Sequence, residues 1–253
     1  AVTDTGRLVL LDVVSTTEVP RAEDAPGLAG ATPARQLVDI DPEEKVVGLV
    51  PVGLAVHSPI VLATVGGVIK RVKPGDEPRN AEAWDVISLS GGDRVVFAGT
   101  AADTDFLALV TSDAQLLRFQ AAKVRPQGRG AGGMAGISLR EGARVIAGAA
   151  VPEELLAEAV VVTVAGSEGS LPGTGGGSVK VTPLDRYPAK GRATGGVRSH
   201  RFLRGEDELV TAWVGVAPAR ALSEDGKPVA LPQADERRDG SGSPLPAPIV
   251  GIG

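Results

Sequence analysis

The sequence predicts an all-β protein, in the form of a propeller-like ring of about five, or alternatively six, four-stranded blades. Glycine (34 residues) and proline (19) make up about a fifth of the 253 residues, and they divide the chain into segments too short for long helices. Hydrophobic residues make up 43%, but only seven are aromatic, so the core must consist mainly of Val, Leu, Ile and Ala, which suit pleated strands. The third observation is an internal repeat, which decides the architecture.

The first repeated element is an apolar run that ends in threonine, then a turn, then a strand that often carries basic residues. It is clearest at residues 59–72 (PIVLATVGGVIKRV) and returns at 106–119 (FLALVTSDAQLLRF). A third copy joins residues 159–164 to 178–181, with its turn lengthened by the glycine-rich stretch 166–177. Weaker copies occur at residues 3–11 and 220–231. Each copy predicts a β-hairpin.

The second repeated element is a leucine, a tight polar turn and a β-branched strand. Residues 87–97 (ISLSGGDRVVF) match residues 137–146 (ISLREGARVI), and further versions occur at 40–47 and 202–210. The two elements alternate along the chain. Together they supply the strands of one repeating unit.

The spacing of the first element gives the size of the unit. Thr64, Thr111 and Thr163 are 47 and 52 residues apart, so one unit has about 50 residues, enough for four strands and their loops. Such sheets bury their faces and protect their edges by forming a ring. We therefore expect a single domain with blades at about residues 1–52, 53–101, 102–151, 152–215 and 216–253. Residues 248–252 supply either a ring-closing strand or a tail, and residues 232–246 have the composition of a loop or linker.

Composition excludes several classes of protein. The chain has no cysteine, so it forms neither disulfides nor a cysteine zinc site, and a reducing cytoplasm is the expected compartment. With only His57 and His200, a histidine-rich metal site or a histidine-dependent triad lacks its residues, and no cofactor is expected in this domain. No apolar run approaches the roughly 20 residues of a membrane helix. The chain begins with alanine and enters a strand-like run at once, so we expect a fragment of a longer polypeptide.

Four stretches carry a resemblance to a known family. They resemble the repeats of the C-terminal domain of bacterial type IIA topoisomerase A subunits, from gyrase and topoisomerase IV, and they are residues 61–72 (VLATVGGVIKRV), 87–96 (ISLSGGDRVV), 109–139 (LVTSDAQLLRFQAAKVRPQGRGAGGMAGISL) and 179–197 (VKVTPLDRYPAKGRATGGV). The likeness extends over about residues 40 to 215.

The resemblance implies a specific fold and function. In that family the repeats form a β-pinwheel, a propeller variant whose neighbouring blades exchange strands, and duplex DNA bends around its basic rim. The implied partners are double-stranded DNA, the ATPase B subunit, and the catalytic breakage-reunion domain of the same polypeptide. The domain itself would be non-catalytic, and its implied location is the cytoplasm, at the nucleoid.

One departure from the family pattern favours topoisomerase IV over gyrase. The gyrase hallmark is a basic, glycine-rich box that begins with glutamine and lies in the first blade. The nearest match here is residues 127–133 (QGRGAGG), which has one basic residue and lies in an interior blade, and residues 191–196 (GRATGG) form a related loop. Both have the pattern of an ordinary repeat loop, so the box is expected to be absent.

The distribution of charge restricts where DNA could bind. The net charge is −5, but residues 1–60 hold 4 basic and 9 acidic side chains, residues 61–204 hold 18 and 14, and residues 205–253 hold 4 and 8. Lys and Arg repeated once per blade would neutralise phosphates with little sequence preference, and the adjacent glycines would allow close approach of the backbone. The candidate DNA-binding residues are Lys70, Arg71, Lys73, Arg118, Lys123, Arg125, Arg129, Lys180, Arg186, Lys190, Arg192, Arg198, Arg201 and Arg204.

Simpler interpretations apply to individual residues. Any single Lys or Arg could be an ordinary solvated side chain. The GxGxxG-like run at residues 128–133 is followed by a strand pattern rather than a helix, which favours a turn over a nucleotide loop. Aromatic side chains in apolar strands favour the core over base stacking, and this applies to Trp84, Trp213, Phe97, Phe119 and Phe202.

Two further residues and two other functions allow alternative interpretations. His200, beside two arginines, is expected at the surface with phosphate contact as the alternative, and Tyr187, the one tyrosine, is not identified as a strand-cleaving residue. A propeller that serves as a protein-interaction platform would suit the acidic net charge. An independent enzyme that uses carboxylates such as Asp85 and Asp93 lacks any paired acid and base.

Overall fold

The fold consists of short strands joined by turns. A computed structural model of the chain describes residues 1–14, 16, 18, 32–53, 58–76, 78, 80–167 and 177–253. One short helix, α1 (Ala34–Leu37), and 3-10 helices at Ala121–Lys123, Glu153–Leu155 and Leu184–Arg186 accompany the strands. The strands are β1 (Val2–Thr3), β2 (Arg7–Val9), β3 (Val46–Gly48), β4 (Ile60–Thr64), β5 (Val68–Val72), β6 (Ala83–Asp85), β7 (Val95–Thr100), β8 (Phe106–Thr111), β9 (Gln115–Gln120), β10 (Pro126–Gln127), β11 (Met134–Ala135), β12 (Val145–Val151), β13 (Ala159–Gly166), β14 (Ser178–Pro183), β15 (Val197–Arg198), β16 (Glu208–Val216), β17 (Ala221–Leu222), β18 (Pro228–Val229), β19 (Ser243–Pro244) and β20 (Gly251–Ile252).

Five sheets follow one another along the described chain. Their strand orders are β3-β1-β2-β6, β7-β4-β5-β10 with β11 also paired to β5, β12-β8-β9-β15, β16-β13-β14-β19, and β20-β17-β18. In the first four sheets a hairpin occupies the middle, whereas in the fifth the second hairpin strand, β18, is an edge strand. In every sheet an inner strand from later in the same unit pairs with the first hairpin strand. The predicted all-β, propeller-like architecture is confirmed.

Strand exchange joins neighbouring sheets in the manner of a β-pinwheel. After each hairpin from the second onward, the chain crosses to the preceding sheet and pairs with its second hairpin strand: β6 with β2, β10 and β11 with β5, β15 with β9, and β19 with β14. We call the connections that carry these strands the exchange segments. They are the stretches between hairpin and inner strand, at residues 73–94, 121–144, 184–207 and 230–250.

The C-terminal region is more ordered than its composition suggests. Residues 232–246, predicted as a loop or linker, contain β19 and belong to the last exchange segment. The apolar run at residues 248–252 contains β20, which pairs with β17 as the inner strand of the fifth sheet. Two-residue strands carry no periodicity, which is why they could not be recognised from the sequence.

The hairpin turns explain the first repeated element. In four of the hairpins a hydroxyl residue (Thr3, Thr64, Thr111 or Ser223) ends the first strand or directly follows it, and its carbonyl accepts a hydrogen bond from the residue three positions later. That later residue has positive φ: Gly6, Gly67, Ala114 or Gly226. The fourth hairpin differs, because the β-bulge that follows Ala63 in β4 follows Val164 in β13. Ala165 therefore occupies the place of Thr64 and Thr111, and the alignment of Thr163 with them was wrong by two residues.

The inner strands pack against one another from sheet to sheet. β3 contacts β7, β7 contacts β12, and β12 contacts β16. A Cβ on Gly48 would lie 2.2 Å from the carbonyl oxygen of Ala98, and one on Gly148 would lie 2.7 Å from the Cβ of Phe97, so glycine permits this close approach. As predicted, the aromatic side chains belong to the core: Phe119 is fully buried, and Trp84, Phe97, Phe202 and Trp213 pack against buried clusters.

Candidate nucleic-acid interface

The exchange segments lie side by side at the sheet edges opposite the inner strands. The backbone amide of Arg129 donates to a carboxylate oxygen of Asp76 at 2.6 Å, which joins the second segment to the first. The amide of Ala193 donates to the carbonyl of Gly136 at 2.7 Å, which joins the third to the second. The amide of Arg201 donates to the carbonyl of Gly240 at 3.0 Å, which joins the fourth to the third. We call this continuous surface of four segments the exchange rim.

Most of the exposed cations in the described part of the chain lie on the exchange rim. Residues 114–140 contain five Lys or Arg and no carboxylate, and residues 186–205 contain six and none, in a chain of net charge −5. Ten of the fourteen candidate residues lie in exchange segments, and all are exposed except Arg192, which is partly buried. They are Lys73, Lys123, Arg125, Arg129, Arg186, Lys190, Arg192, Arg198, Arg201 and Arg204.

Several of these cations also bind the rim together. The Lys123 ammonium donates to the carbonyl of Lys190 at 3.3 Å, and the Arg192 guanidinium donates to the carbonyl of Ala135. Arg186 forms an ion pair with Glu236. These contacts are exposed, so the side chains remain accessible to an anionic ligand.

The other four candidates lie in hairpin strands and are buried. Lys70, Arg71, Arg118 and Lys180 are at most 8% exposed. Their cations bind carbonyl groups of the protein, so they do not present charge to a phosphate, and we withdraw them from the set of DNA-contact residues. The prediction failed here because these strands are covered on both faces, as the uninterrupted burial of residues 69–72 in β5 shows.

Arg71 and Arg118 each bind the exchange segment of the next unit along the chain. The Arg71 guanidinium donates to the carbonyls of Ala121 and Val124 at 3.1 Å each, around a 3-10 helix, and to the Asp103 carboxylate at 2.6 Å. In the next sheet the Arg118 guanidinium donates to the carbonyl of Leu184, at 3.4 Å, where another 3-10 helix begins.

Lys70 and Lys180 bind the loops of the exchange rim. The Lys70 ammonium donates to the carbonyls of Arg129 and Ala131, both at 2.6 Å. The Lys180 ammonium donates to three carbonyls, those of Arg237, Arg238 and Gly240. Burial lowers the pKa of each lysine to about 8.

Comparison with known proteins identifies the family. A family model described as the DNA gyrase C-terminal domain, beta-propeller, matches residues 105–152 and 173–212. The chain belongs to the family of DNA gyrase A C-terminal domains. It is 30% identical over 183 residues to the DNA gyrase A protein of Mycolicibacterium smegmatis, covering 70% of this chain and 20% of the relative. The DNA gyrase A protein of Nocardioides sp. is 31% identical over 202 residues, with 70% and 22% covered.

Solved structures share the fold at lower sequence identity. A C-terminal domain of DNA topoisomerase IV superposes with a TM-score of 0.74 at 17% identity, covering 100% of this chain and 77% of the other. A DNA gyrase A C-terminal domain gives 0.69 at 16% identity, with 99% and 80% covered. The chain spans about a fifth of the length of the gyrase A relatives it matches.

The sequence prediction missed part of the rim in this gyrase A-family domain. Arg237 is exposed and Arg238 is half-buried, and both lie in the last exchange segment beside the carbonyls that Lys180 binds. Arg140, which is exposed in the second segment, was also omitted. The arginine and glycine residues of RRDGSG (residues 237–242) resemble those of GRGAGG (128–133). That likeness could have identified residues 237–242 as a further repeat loop.

The first unit departs from this basic pattern. Residues 10–45 stand between its hairpin and its inner strand, where the other units have their exchange segments. Their sequence holds eight acidic and three basic residues. Between the hairpin and the inner strand of this unit, the sequence is therefore acidic rather than basic.

His200 and Tyr187 are both buried. His200 was expected at the surface, but it is 1% exposed, and its ring lies 2.9 Å from the Thr163 hydroxyl and accepts a hydrogen bond from the Gly242 amide. Burial and the Lys180 ammonium lower its pKa to about 4. Tyr187 is fully buried and burial raises its pKa, so its hydroxyl is out of reach of a DNA strand. His57 lies outside the described residues.

Other kinds of site find little support in the described part of the chain. No group of three His, Cys, Asp or Glu there could hold a metal ion. The GxGxxG-like run leads into β11, a strand, and Asp93 accepts hydrogen bonds from the amides of Gly66 and Arg94 in a turn. No described helix is long and apolar enough to span a membrane.

Proposed function

We propose that this domain is a non-catalytic DNA-binding and DNA-bending module of a type IIA topoisomerase, and that it holds duplex DNA along the exchange rim. The observation that carries the proposal is the joining of two carboxylate-free basic stretches, residues 114–140 and 186–205, into one surface. In the holoenzyme the domain would present a DNA segment to the breakage-reunion domain for strand passage. The ATPase B subunit would be a further partner, and the nucleoid in the cytoplasm the location.

Electrostatics makes the rim suitable for a phosphate backbone. Lys and Arg that neutralise phosphates release counterions, which gives strong salt dependence and little sequence preference. Bending a few tens of base pairs costs about 1–6 kcal/mol by elastic estimates, so several segments must contribute contacts together. The rim meets this requirement because its basic side chains come from consecutive exchange segments rather than from one loop.

Duplex binding tests the proposal directly. We would measure the affinity of a fluorescent linear duplex over a range of salt for the unmodified chain and for a triple variant, Arg125→Ala, Arg129→Ala and Arg198→Ala. Loss of three phosphate contacts should make the slope of log affinity against log salt shallower by about 2.7. The matched control, Arg35→Ala, Lys45→Ala and Lys227→Ala, removes three exposed cations outside the rim and should leave the slope nearly unchanged. Equal effects of the two triple variants would refute rim binding.

We further propose bending or capture of DNA without chiral wrapping, as in a topoisomerase IV rather than a gyrase. The support is the acidic sequence of residues 10–45, where the first unit would carry a basic box. Ligation of nicked circles with the domain bound should then leave the linking number nearly unchanged. A clear positive shift would indicate gyrase-like wrapping and contradict this part of the proposal.

A protein-interaction platform is the second candidate. Its support is the net charge of −5 together with exposed apolar side chains on the first unit, at Leu10, Val13, Val14 and Leu49. Absence of duplex binding at low salt would favour this candidate over the first.

A further inference from the structure

We propose that Lys70 and Lys180 are positioning residues of the exchange rim: each buried ammonium gathers the backbone carbonyls of one rim loop and so fixes the arginines which that loop carries. The inference rests on the proposed function, because it explains how the DNA-contact surface is held in shape. It concerns two side chains that themselves lie beneath that surface.

The two lysines occupy equivalent places in different sheets. Lys70 pairs with Leu62, two residues before Thr64, and Lys180 pairs with Thr163, two residues before Ala165. Thr64 and Ala165 mark the same bulge in their hairpins. The repeat therefore places an ammonium at the same point beneath two exchange loops.

The contacts of each lysine are with the loop backbone. Lys70 reaches the carbonyls of Arg129 and Ala131, and Lys180 reaches those of Arg237, Arg238 and Gly240. A buried ammonium is costly unless its protons are bound, and carbonyls from the loop satisfy that requirement. The carbonyls of Ala131, Arg237 and Gly240 also accept hydrogen bonds from backbone amides. Loss of the ammonium would therefore remove the lysine donor from the Arg129 carbonyl in one loop and from the Arg238 carbonyl in the other, so each loop would have to rearrange there.

The third sheet provides an internal comparison. Leu117 pairs with Leu109 two residues before Thr111, so leucine occupies the position of the lysine there. The backbone pairing with the exchange segment is equivalent in the two sheets, since Arg118 bridges Ala189 as Arg71 pairs with Pro126. The hairpin position thus accepts an apolar side chain, and we infer that lysine is present for the loop above it rather than for the packing of the strand.

Both loops present exposed arginine side chains. Arg129 and Arg237 are exposed, although their own carbonyls are bound by the buried lysines. Drawing the carbonyls inward leaves these guanidinium groups directed to solvent. A phosphate would then bind to a loop whose conformation is already fixed. The loss of conformational entropy on binding is therefore smaller.

Hydrogen exchange without DNA tests the positioning itself. Lys70→Leu introduces leucine at the position in the second sheet where the third sheet has Leu117. We expect amides of residues 125–136 to exchange at least about tenfold faster, while those of β8, β9 and β14 stay protected. Lys180→Leu should release residues 235–243 in the same selective way. Lys227→Leu, which removes an exposed lysine outside the rim, should alter neither loop.

Duplex affinity connects the positioning to function. Arg129→Ala alone should lower affinity about fivefold at low salt, but by less than about twofold when Lys70→Leu is already present, because the misplaced loop no longer presents Arg129. Independent, multiplying effects of the two substitutions would overturn the proposal, as would loop exchange at the unmodified rate in Lys70→Leu. If the unmodified chain fails to bind DNA, the proposed function fails, and the loop exchange rates still decide whether Lys70 and Lys180 position the loops.

Discussion

The guanidinium of Arg71 donates a hydrogen bond to the carbonyl of Val124 across the boundary between the second and third sheets, at 3.1 Å. It binds Ala121 and Ala101 in the same way and pairs with the Asp103 carboxylate. One buried cation thereby fastens the hairpin of one unit to the exchange segment of the next. This structural role explains why the chain has a basic residue at position 71, which the sequence alone suggested as a DNA contact.

Arg71→Met should therefore destabilise the domain. The substitution removes four hydrogen bonds made by a buried cation, three of them to backbone carbonyls, so we expect the free energy of unfolding to fall by about 2–4 kcal/mol. Arg140→Met is the matched control, because Arg140 is exposed and its guanidinium forms an ion pair with Asp113 at 3.4 Å, and it should lower stability by no more than about 1 kcal/mol. Urea titrations would measure both, and equal losses would contradict the account.

Gly196→Ala should dislodge an exchange strand. Gly196 precedes β15, has φ of +74°, and a Cβ there would lie 2.5 Å from the carbonyl oxygen of Leu116. We expect a loss of about 3 kcal/mol, from backbone strain together with the clash. Gly205→Ala isolates the strain, because its φ is +90° with open space around the added carbon, and it should cost only about 1 kcal/mol. Thermal melts of the two variants provide the comparison, and similar melting temperatures would refute the clash.

His200 should make the domain sensitive to acid. Its pKa is lowered to about 4 in the folded chain by burial and Lys180, with Glu206 acting in the opposite direction, so between pH 6.5 and 4 the unfolded chain binds the extra proton. This contribution to stability is full above pH 6.5 and is lost progressively as the pH falls toward 4. The urea midpoint should drop between pH 7.5 and 5.0, and His200→Gln should show a smaller drop. Identical drops would show that other groups cause the acid sensitivity.

Tyr187→Phe should leave DNA binding intact. Tyr187 belongs to the third exchange segment, but its side chain is fully buried and out of reach of DNA. Duplex affinity is expected to change by less than about twofold, since no rim charge is altered. Denaturing gels should show no covalent protein–DNA adduct with either form of the chain. An adduct that disappears in the variant would give Tyr187 a role that its burial contradicts.

The hairpins and their alternation could be predicted from sequence because each carries a full apolar strand and a turn with its own residue signature. Thr64 and Thr111 were aligned correctly, but a run of Val and Thr in β13 fits two registers, and only the bulge at Ala165 chooses between them. The exchange strands could not be predicted one by one, because a strand of two or three residues is too short to show the alternation of apolar and polar residues.

The sequence shows which exchange segments are basic, but not which of the neighbouring cations are exposed. Lys70 and Lys73 belong to one basic cluster in the sequence, yet one lies in a strand covered on both faces and the other just beyond its end. Alternation along a strand cannot separate them when neither face is solvated. Arg237 and Arg238 were missed because their glycine- and serine-rich surroundings have the composition of a linker.

The location of DNA on the exchange rim is the central claim, and site-specific cross-linking tests it most directly. The chain contains no cysteine, so a single introduced thiol can carry a photoactivated cross-linker to a bound duplex. Ala189→Cys and Thr194→Cys place it on the rim, and Ala157→Cys places it on an exposed turn outside the exchange segments. The account predicts efficient cross-linking from positions 189 and 194, lost at high salt, and little from position 157. Equal cross-linking from all three positions, or preferential cross-linking from position 157, would contradict it.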